Sequence, residues 1–178
     1  CSRGDFSFEM TVQSDCAPLS HLMQEVIREV PELKCARDPT RGGVASVLTE
    51  MVEHSGYAMT LEEQRIPVDE DVQGVCDILG MDPLMMANEG KMIVIAPEFR
   101  ADACLEAMRR VPEGGGASVI GQVHQGQPRL TMKTPFGTTR VIRVMRSTSR
   151  SICGSSSSTA IARITEPRIG SFSTPHLT

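Results

Sequence analysis

The chain has 178 residues, room for one domain, and its 40% hydrophobic and 22% charged composition is that of a globular protein. No apolar run approaches the roughly 18–20 residues of a membrane span. Up to residue 142 there are 21 acidic against 13 basic side chains, which excludes a basic stripe for nucleic acid. With no Trp, one Tyr and five Phe, the core must be aliphatic, its irregular gaps filled from eleven Met.

The first residues, Cys1-Ser-Arg-Gly-Asp5, lack Met and an apolar signal segment, and read as a cut inside a longer protein. Phe6 and Phe8 alternate as in a short strand. Ser14-Asp15 offers a helix cap and Pro18 suits a first turn. Leu19, Leu22, Met23, Val26 and Ile27 then predict an amphipathic helix over 17–29, ended by Pro31. A second helix follows the loop Arg37–Gly43, with Val44, Val47, Leu48, Met51 and Val52 as its buried stripe and Gly56 as its stop. Residues 57–61 form a strand. Asp69, Glu70 and Asp71 favour the start of a third helix, which Gly80 ends.

Lys91-Met-Ile-Val-Ile-Ala96 is the strongest strand, apolar on both faces and therefore central. A fourth helix spans 98–110, with Ala101, Cys104, Leu105 and Met108 inward. Gly114–Gly116 breaks the chain, and strands follow at 117–123, 128–133 and 138–145, the first two bridged by a loop around Gln125-Gly-Gln127. Helices alternate with strands early and strands cluster late. The fold class is therefore α+β, a layered domain whose mixed sheet is packed by helices. From residue 143 the balance turns to one acid against five Arg, and Ser and Thr supply 14 of the last 36 residues. Such a segment buries too little to offset its ordering, so disorder is expected after about 146.

None of the six cysteines forms a C-x-x-C pair and the four His are scattered, so no metal site is expected. Cys76 and Cys104 fall on apolar helix faces as buried thiols, consistent with a reducing, cytoplasmic setting.

Three stretches can carry chemistry. In Arg37-Asp-Pro-Thr-Arg-Gly-Gly43, Pro39 holds Asp38 extended. Gly42 and Gly43 allow close backbone approach at the start of a helix, and Arg37 and Arg41 add donors for phosphate or carboxylate. An ordinary turn capped by Asp38 or Thr40 would use the same residues. In Ala87-Asn-Glu-Gly-Lys91, Asn88 and Glu89 stand at the mouth of the central strand, a place suited to acid–base work; a polar turn at Gly90 is the plainer account. In Ser14-Asp-Cys-Ala-Pro-Leu19, Cys16 lies near a helix N-terminus, which lowers a thiol pKa, though a cap beside a small buried Cys reads as well. His21, His54 and His124 have no partner at a telling spacing.

In their order and separation these three stretches, with Asp82-Pro-Leu84 and Ile120-Gly-Gln-Val123, resemble the C-terminal domain of the HypE family, hydrogenase maturation proteins of the AIR synthase-related superfamily. The resemblance covers about residues 3–142. It implies a remnant at 1–13 leading from a missing N-terminal domain, the AIR-synthase-type C-terminal domain at 14–145, and an atypical Ser/Arg-rich tail at 146–178. It further implies that ATP, with Mg held mainly by the missing half, dehydrates an S-carbamoyl cysteine to a thiocyanate, the source of cyanide for nickel–iron hydrogenase. Glu89 would be the general base and Asn88 its orienting neighbour, with Arg37, Asp38, Thr40, Arg41, Gly42 and Gly43 at the phosphate. The implied partners are the N-terminal ATP-binding domain, carbamoyl-transferring and iron-centre assembly proteins, and a second copy in a full-length homodimer; nucleic acid and membrane are not among them.

The tail departs from that pattern. The family ends in Pro-Arg-Ile-Cys; here the nearest match containing a cysteine is Arg150-Ser-Ile-Cys153, with 25 residues after it. Cys153 is thus the candidate acceptor, in a context that a reading-frame change or vector extension near 143 would explain. Pro167-Arg168-Ile169 repeats the motif with Gly170 in place of the thiol. The chain alone is expected to be inactive. A stand-alone docking module, or half of a sister enzyme such as selenophosphate synthetase, are the competing readings.

Overall fold

The computed structural model describes residues 14–144 and the backbone of residues 159–163. Its elements are α1 (Ser20–Glu29), β1 (Cys35–Arg37), α2 (Gly43–Ser55), β2 (Ala58–Glu62), α3 (Glu70–Leu79), β3 (Ile93–Pro97), α4 (Ala101–Arg109), β4 (Ser118–His124), β5 (Leu130–Lys133), β6 (Thr139–Val141) and β7 (Thr159–Arg163). Single 3-10 turns stand at Glu63–Arg65, Pro83–Met85, Glu98–Arg100 and Pro112–Gly114. One sheet runs in the order β1-β3-β7-β4-β2-β5-β6. Among the described strands only the β2–β5 pair is parallel, so the sheet is mixed, as expected.

β3 explains the layering. All five of its residues are buried, and successive side chains of a strand point to opposite faces. Ile93 and Ile95 join Val44, Leu48 and Met51 of α2 in one core, together with Leu61, Ile120 and Met132 from other strands. Val94 and Ala96 join Leu22 and Val26 of α1 and Cys104, Ala107 and Met108 of α4 in a second core. Helices thus cover both faces of this strand, and its continuous apolar run is accounted for. Burying each large aliphatic side chain contributes about 1.5–3 kcal/mol, before entropy is counted.

Several boundaries differ from the sequence reading. α1 begins at Ser20, and its N-cap Leu19 makes no side-chain bond, so Ser14-Asp15 caps nothing. Ile27, expected in the buried stripe, is 55% exposed. β1 escaped notice because three residues are too few for alternation to show. The segment 98–110 divides into a 3-10 turn and α4. β4 and β5, though close in sequence, do not pair: β2 lies between them. Gly121 permits this tight fit, since a Cβ there would stand 2.4 Å from the Thr60 carbonyl oxygen.

The buried free thiols are where the helix faces placed them. Burial pushes Cys104 up to about 11 and, with Asp77 and Asp82 adding to it, raises Cys76 as well. Residues 1–13, Cys153 and most of the segment after 146 lie outside the described residues. Within that segment the described residues are Thr159–Arg163. They form β7, paired antiparallel to β3 and to β4, so the sheet reaches past the boundary expected near 145. A lone Ile between alanines gave no alternation by which to see it.

Candidate functional site

β1 exits beside the entry of β3, because Arg37 pairs with Ile93. That register brings the loop after β1 against the segment before β3. The Asn88 N–H donates to the Pro39 carbonyl at 3.1 Å, and the Asn88 side-chain amide donates to the Met86 carbonyl at 2.6 Å. Asn88 is 6% exposed, the one buried polar side chain among the described residues. Its amide is committed to holding the loop. Gly43, at φ +65°, lies on the same turn: a Cβ there would stand 2.4 Å from the carbonyl oxygens of Leu84 and Met86. The close backbone approach that this glycine permits is thus to the protein's own chain.

The third stretch closes the group from the other side. A Cβ on Gly90 would fall 1.5 Å from the Asp15 carbonyl oxygen, so the two backbones touch. The Asp15 carboxylate accepts the Glu89 N–H at 3.1 Å and the Lys91 ammonium at 3.0 Å. The three segments marked in the sequence therefore form one clasp, made largely of backbone atoms. Glu89 is exposed at its mouth, and its carboxylate makes no hydrogen bond or ion pair among the described residues.

The remaining candidates divide. Arg37 forms an ion pair with Glu50 of α2 at 2.9 Å, which ties β1 to the helix. Asp38, Arg41 and Gly42 are exposed and Thr40 is half-buried. Gly42, at φ 69°, is the N-cap of α2 and supplies no side-chain cap. Cys16 is exposed and lies four residues ahead of α1, outside the helix's first turn. Asp15 and Lys91 are the partners that sequence reasoning missed. They stand 76 residues apart, and only the opposite charges could have hinted at the pair.

Burial alone would raise the Asp15 pKa. The Lys91 hydrogen bond, the Lys91 charge and the Glu89 N–H outweigh it and hold the carboxyl below its ordinary value of 3.8. A depressed carboxyl stabilises the fold above the unfolded pKa, and that contribution is lost as pH falls through the folded one. Thermal melts of the chain and of Asp15→Asn should therefore differ at pH 6 and converge as the pH falls through the depressed folded value. A gap that persists undiminished into acid would show that the charge of Asp15 is not what stabilises the clasp.

Helices on both faces of a mixed sheet, with three loops clasped beside its first strand, define a layered α+β domain. The chain belongs to the AIR synthase related protein family, whose C-terminal domain matches residues 3–133. It is 46% identical over 147 residues to the carbamoyl dehydratase HypE of Rhodobacter capsulatus, an alignment covering 81% of this chain and 43% of that protein. Among solved structures, the hydrogenase maturation protein HypE in complex with ATP superposes with a TM-score of 0.74 at 36% identity, covering 80% of this chain and 44% of that one. The HypE chain of a HypE–HypF complex gives 0.74 at 37% identity, covering 77% and 45%. The chain thus spans less than half the length of the relatives it matches.

Proposed function

We propose that this chain is the C-terminal half of a hydrogenase maturation dehydratase, which acts together with an ATP-binding half. The observation that carries this reading is the clasp: three segments at the spacing of the HypE family meet in space, and the Glu89 carboxylate stands unpaired at their mouth. In the proposed reaction the oxygen of an S-carbamoyl cysteine takes the phosphoryl group of ATP. With ADP released, the nitrogen gives up its two protons, one to Glu89 and one to the departing phosphate, leaving a thiocyanate. This chain supplies Glu89 to accept a proton from nitrogen, and Asn88 to fix the loop that carries it. In this reading Arg41 and Gly42, exposed ahead of α2, bind phosphate with Asp38 and Thr40, and Arg37, paired with Glu50, steadies the loop that carries them.

ATP is supported as a ligand by the related structure that contains it. Among the described residues no three His, Cys, Asp or Glu side chains cluster to hold a metal ion, and in this reading Mg is held mainly by the ATP-binding half. A partner of the HypF kind is supported by the related complex. A homodimer, iron-centre assembly proteins and a cytoplasmic setting complete the reading. Among the described residues no helix is long and apolar enough to cross a membrane. Cys153 as acceptor is part of the proposal and rests on sequence alone.

One surface favours a chain that works with another domain. Ile78, Leu79 and Met81 at the end of α3, with Met85 and Met86 in the neighbouring turn, are all exposed. Clustered apolar side chains of this kind mark an interaction face.

The test is to join this chain to the ATP-binding half of the Rhodobacter capsulatus relative. Thiocyanate should form from carbamoylated protein with ATP, whereas the 178-residue chain alone should turn over no ATP above background. ATP turnover by the chain alone, dependent on Glu89, would overturn this division of labour.

A further inference from the structure

We propose that Asp15 is a positioning residue for Glu89: it holds the Glu89 peptide and keeps the Lys91 ammonium away from the Glu89 carboxylate. The importance of this for catalysis rests on Glu89 being the base. The arrangement itself stands on geometry alone.

One carboxylate oxygen of Asp15 receives both the Glu89 N–H at 3.1 Å and the Lys91 ammonium at 3.0 Å. The Lys91 side chain is only 15% exposed, so its charge has little water to fall back on and must be paired in place. Glu89 is two residues along the chain and carries the nearest other carboxylate in sequence. An ammonium released by Asp15 would turn to it. A carboxylate bonded to a lysine is stabilised in its charged form and takes up a proton less readily. Asp15 thus does two things with one group. It satisfies Lys91, and through the N–H it fixes the peptide from which the Glu89 side chain projects. The Asn88 bonds to Pro39 and Met86 on one side, and the contact of Gly90 with the Asp15 backbone on the other, leave that peptide no room to drift.

The two functions separate in variants. Asp15→Asn keeps an oxygen to accept the Glu89 N–H but removes the charge that holds Lys91. Asp15→Ala removes both. In the isolated chain, amide exchange at Glu89 should stay slow in Asp15→Asn and accelerate at least about tenfold in Asp15→Ala. The Glu89 side-chain carboxyl carbon resonance should be indifferent to Lys91→Met in the parent chain, but should move with it in the Asp15→Asn background. That coupling is one a merely structural aspartate would not create. Unchanged exchange in Asp15→Ala, or a carboxyl resonance indifferent to Lys91 in both backgrounds, would overturn the proposal.

In the joined enzyme, Asp15→Asn should lower kcat about tenfold with KM for ATP unchanged, and adding Lys91→Met should restore most of it. If Glu89→Gln proves silent there while the resonance results hold, the reading of Glu89 as base fails and the positioning of its carboxylate does not.

Discussion

Glu89→Gln in the joined enzyme should reduce the rate of thiocyanate formation by about 10²–10⁴-fold, the usual contribution of a positioned general base. The substitution keeps the shape of the side chain and removes only its capacity to take a proton. Stability should not follow the rate down. The carboxylate is exposed and has no partner among the described residues, so its loss breaks no contact, and the melting temperature should stay within a degree or two. A lower kcat with KM for ATP unchanged would place the residue at the carbamoyl nitrogen. A rise in KM for ATP alone would place it at the nucleotide. Undiminished dehydration would assign the base to the other half.

Gly90→Ala tests the frame, and its effect should fall on stability. A Cβ there would lie 1.5 Å from the Asp15 carbonyl oxygen, 2.7 Å from its carbon and 3.1 Å from the Ala17 nitrogen. All three are backbone atoms, so no side chain can rotate aside. The two segments must part, and the Asp15 bonds to Glu89 and Lys91 part with them. The cost should reach about 3 kcal/mol, at the upper end for overpacking, and lower the urea midpoint by more than about 1 M. Gly74 on the exposed face of α3 is the control. Nothing lies within 4 Å of a Cβ there, so Gly74→Ala should stabilise the helix by roughly 0.5–1 kcal/mol. A Gly90→Ala variant as stable as its parent would show that the clasp opens freely.

The helices were legible because each obeys a local rule. Asp69 caps α3 through the Asp71 N–H, Gly56 and Gly80 end their helices in the left-handed region, and α2 buries the stripe its spacing marked. β3 was legible because both of its faces are covered, leaving an unbroken apolar run. β1 and β7 were not, because a short strand paired to distant segments carries its information in its neighbours. The place of β2 between β4 and β5 is likewise a matter of long-range pairing that no local pattern encodes.

The three stretches of the candidate site stood out one by one in the sequence, and the family resemblance rested on their order and separation along the chain. Their means of contact was not legible. Gly43 read as a residue that approaches a ligand and Gly90 as part of a polar turn, whereas each approaches the protein's own backbone. Asn88 read as the orienting neighbour of Glu89, and its amide is turned inward to Met86. Sequence shows which residues are small or polar, but not on which side of a loop their neighbours will stand.

Cohesion through peptide groups and glycines has a consequence for how such a domain can change. The side chains at Cys16, Asp38, Arg41 and Glu89 point outward from the clasp and contribute little to closing it. They can be exchanged while the loops stay where they are, so a library randomised at these four positions should yield mostly folded proteins. One randomised at 43, 88 and 90 should not. Exchangeable exposed side chains and the atoms that close the clasp thus stand at different positions of the same three loops, and selection can rewrite one without erasing the other.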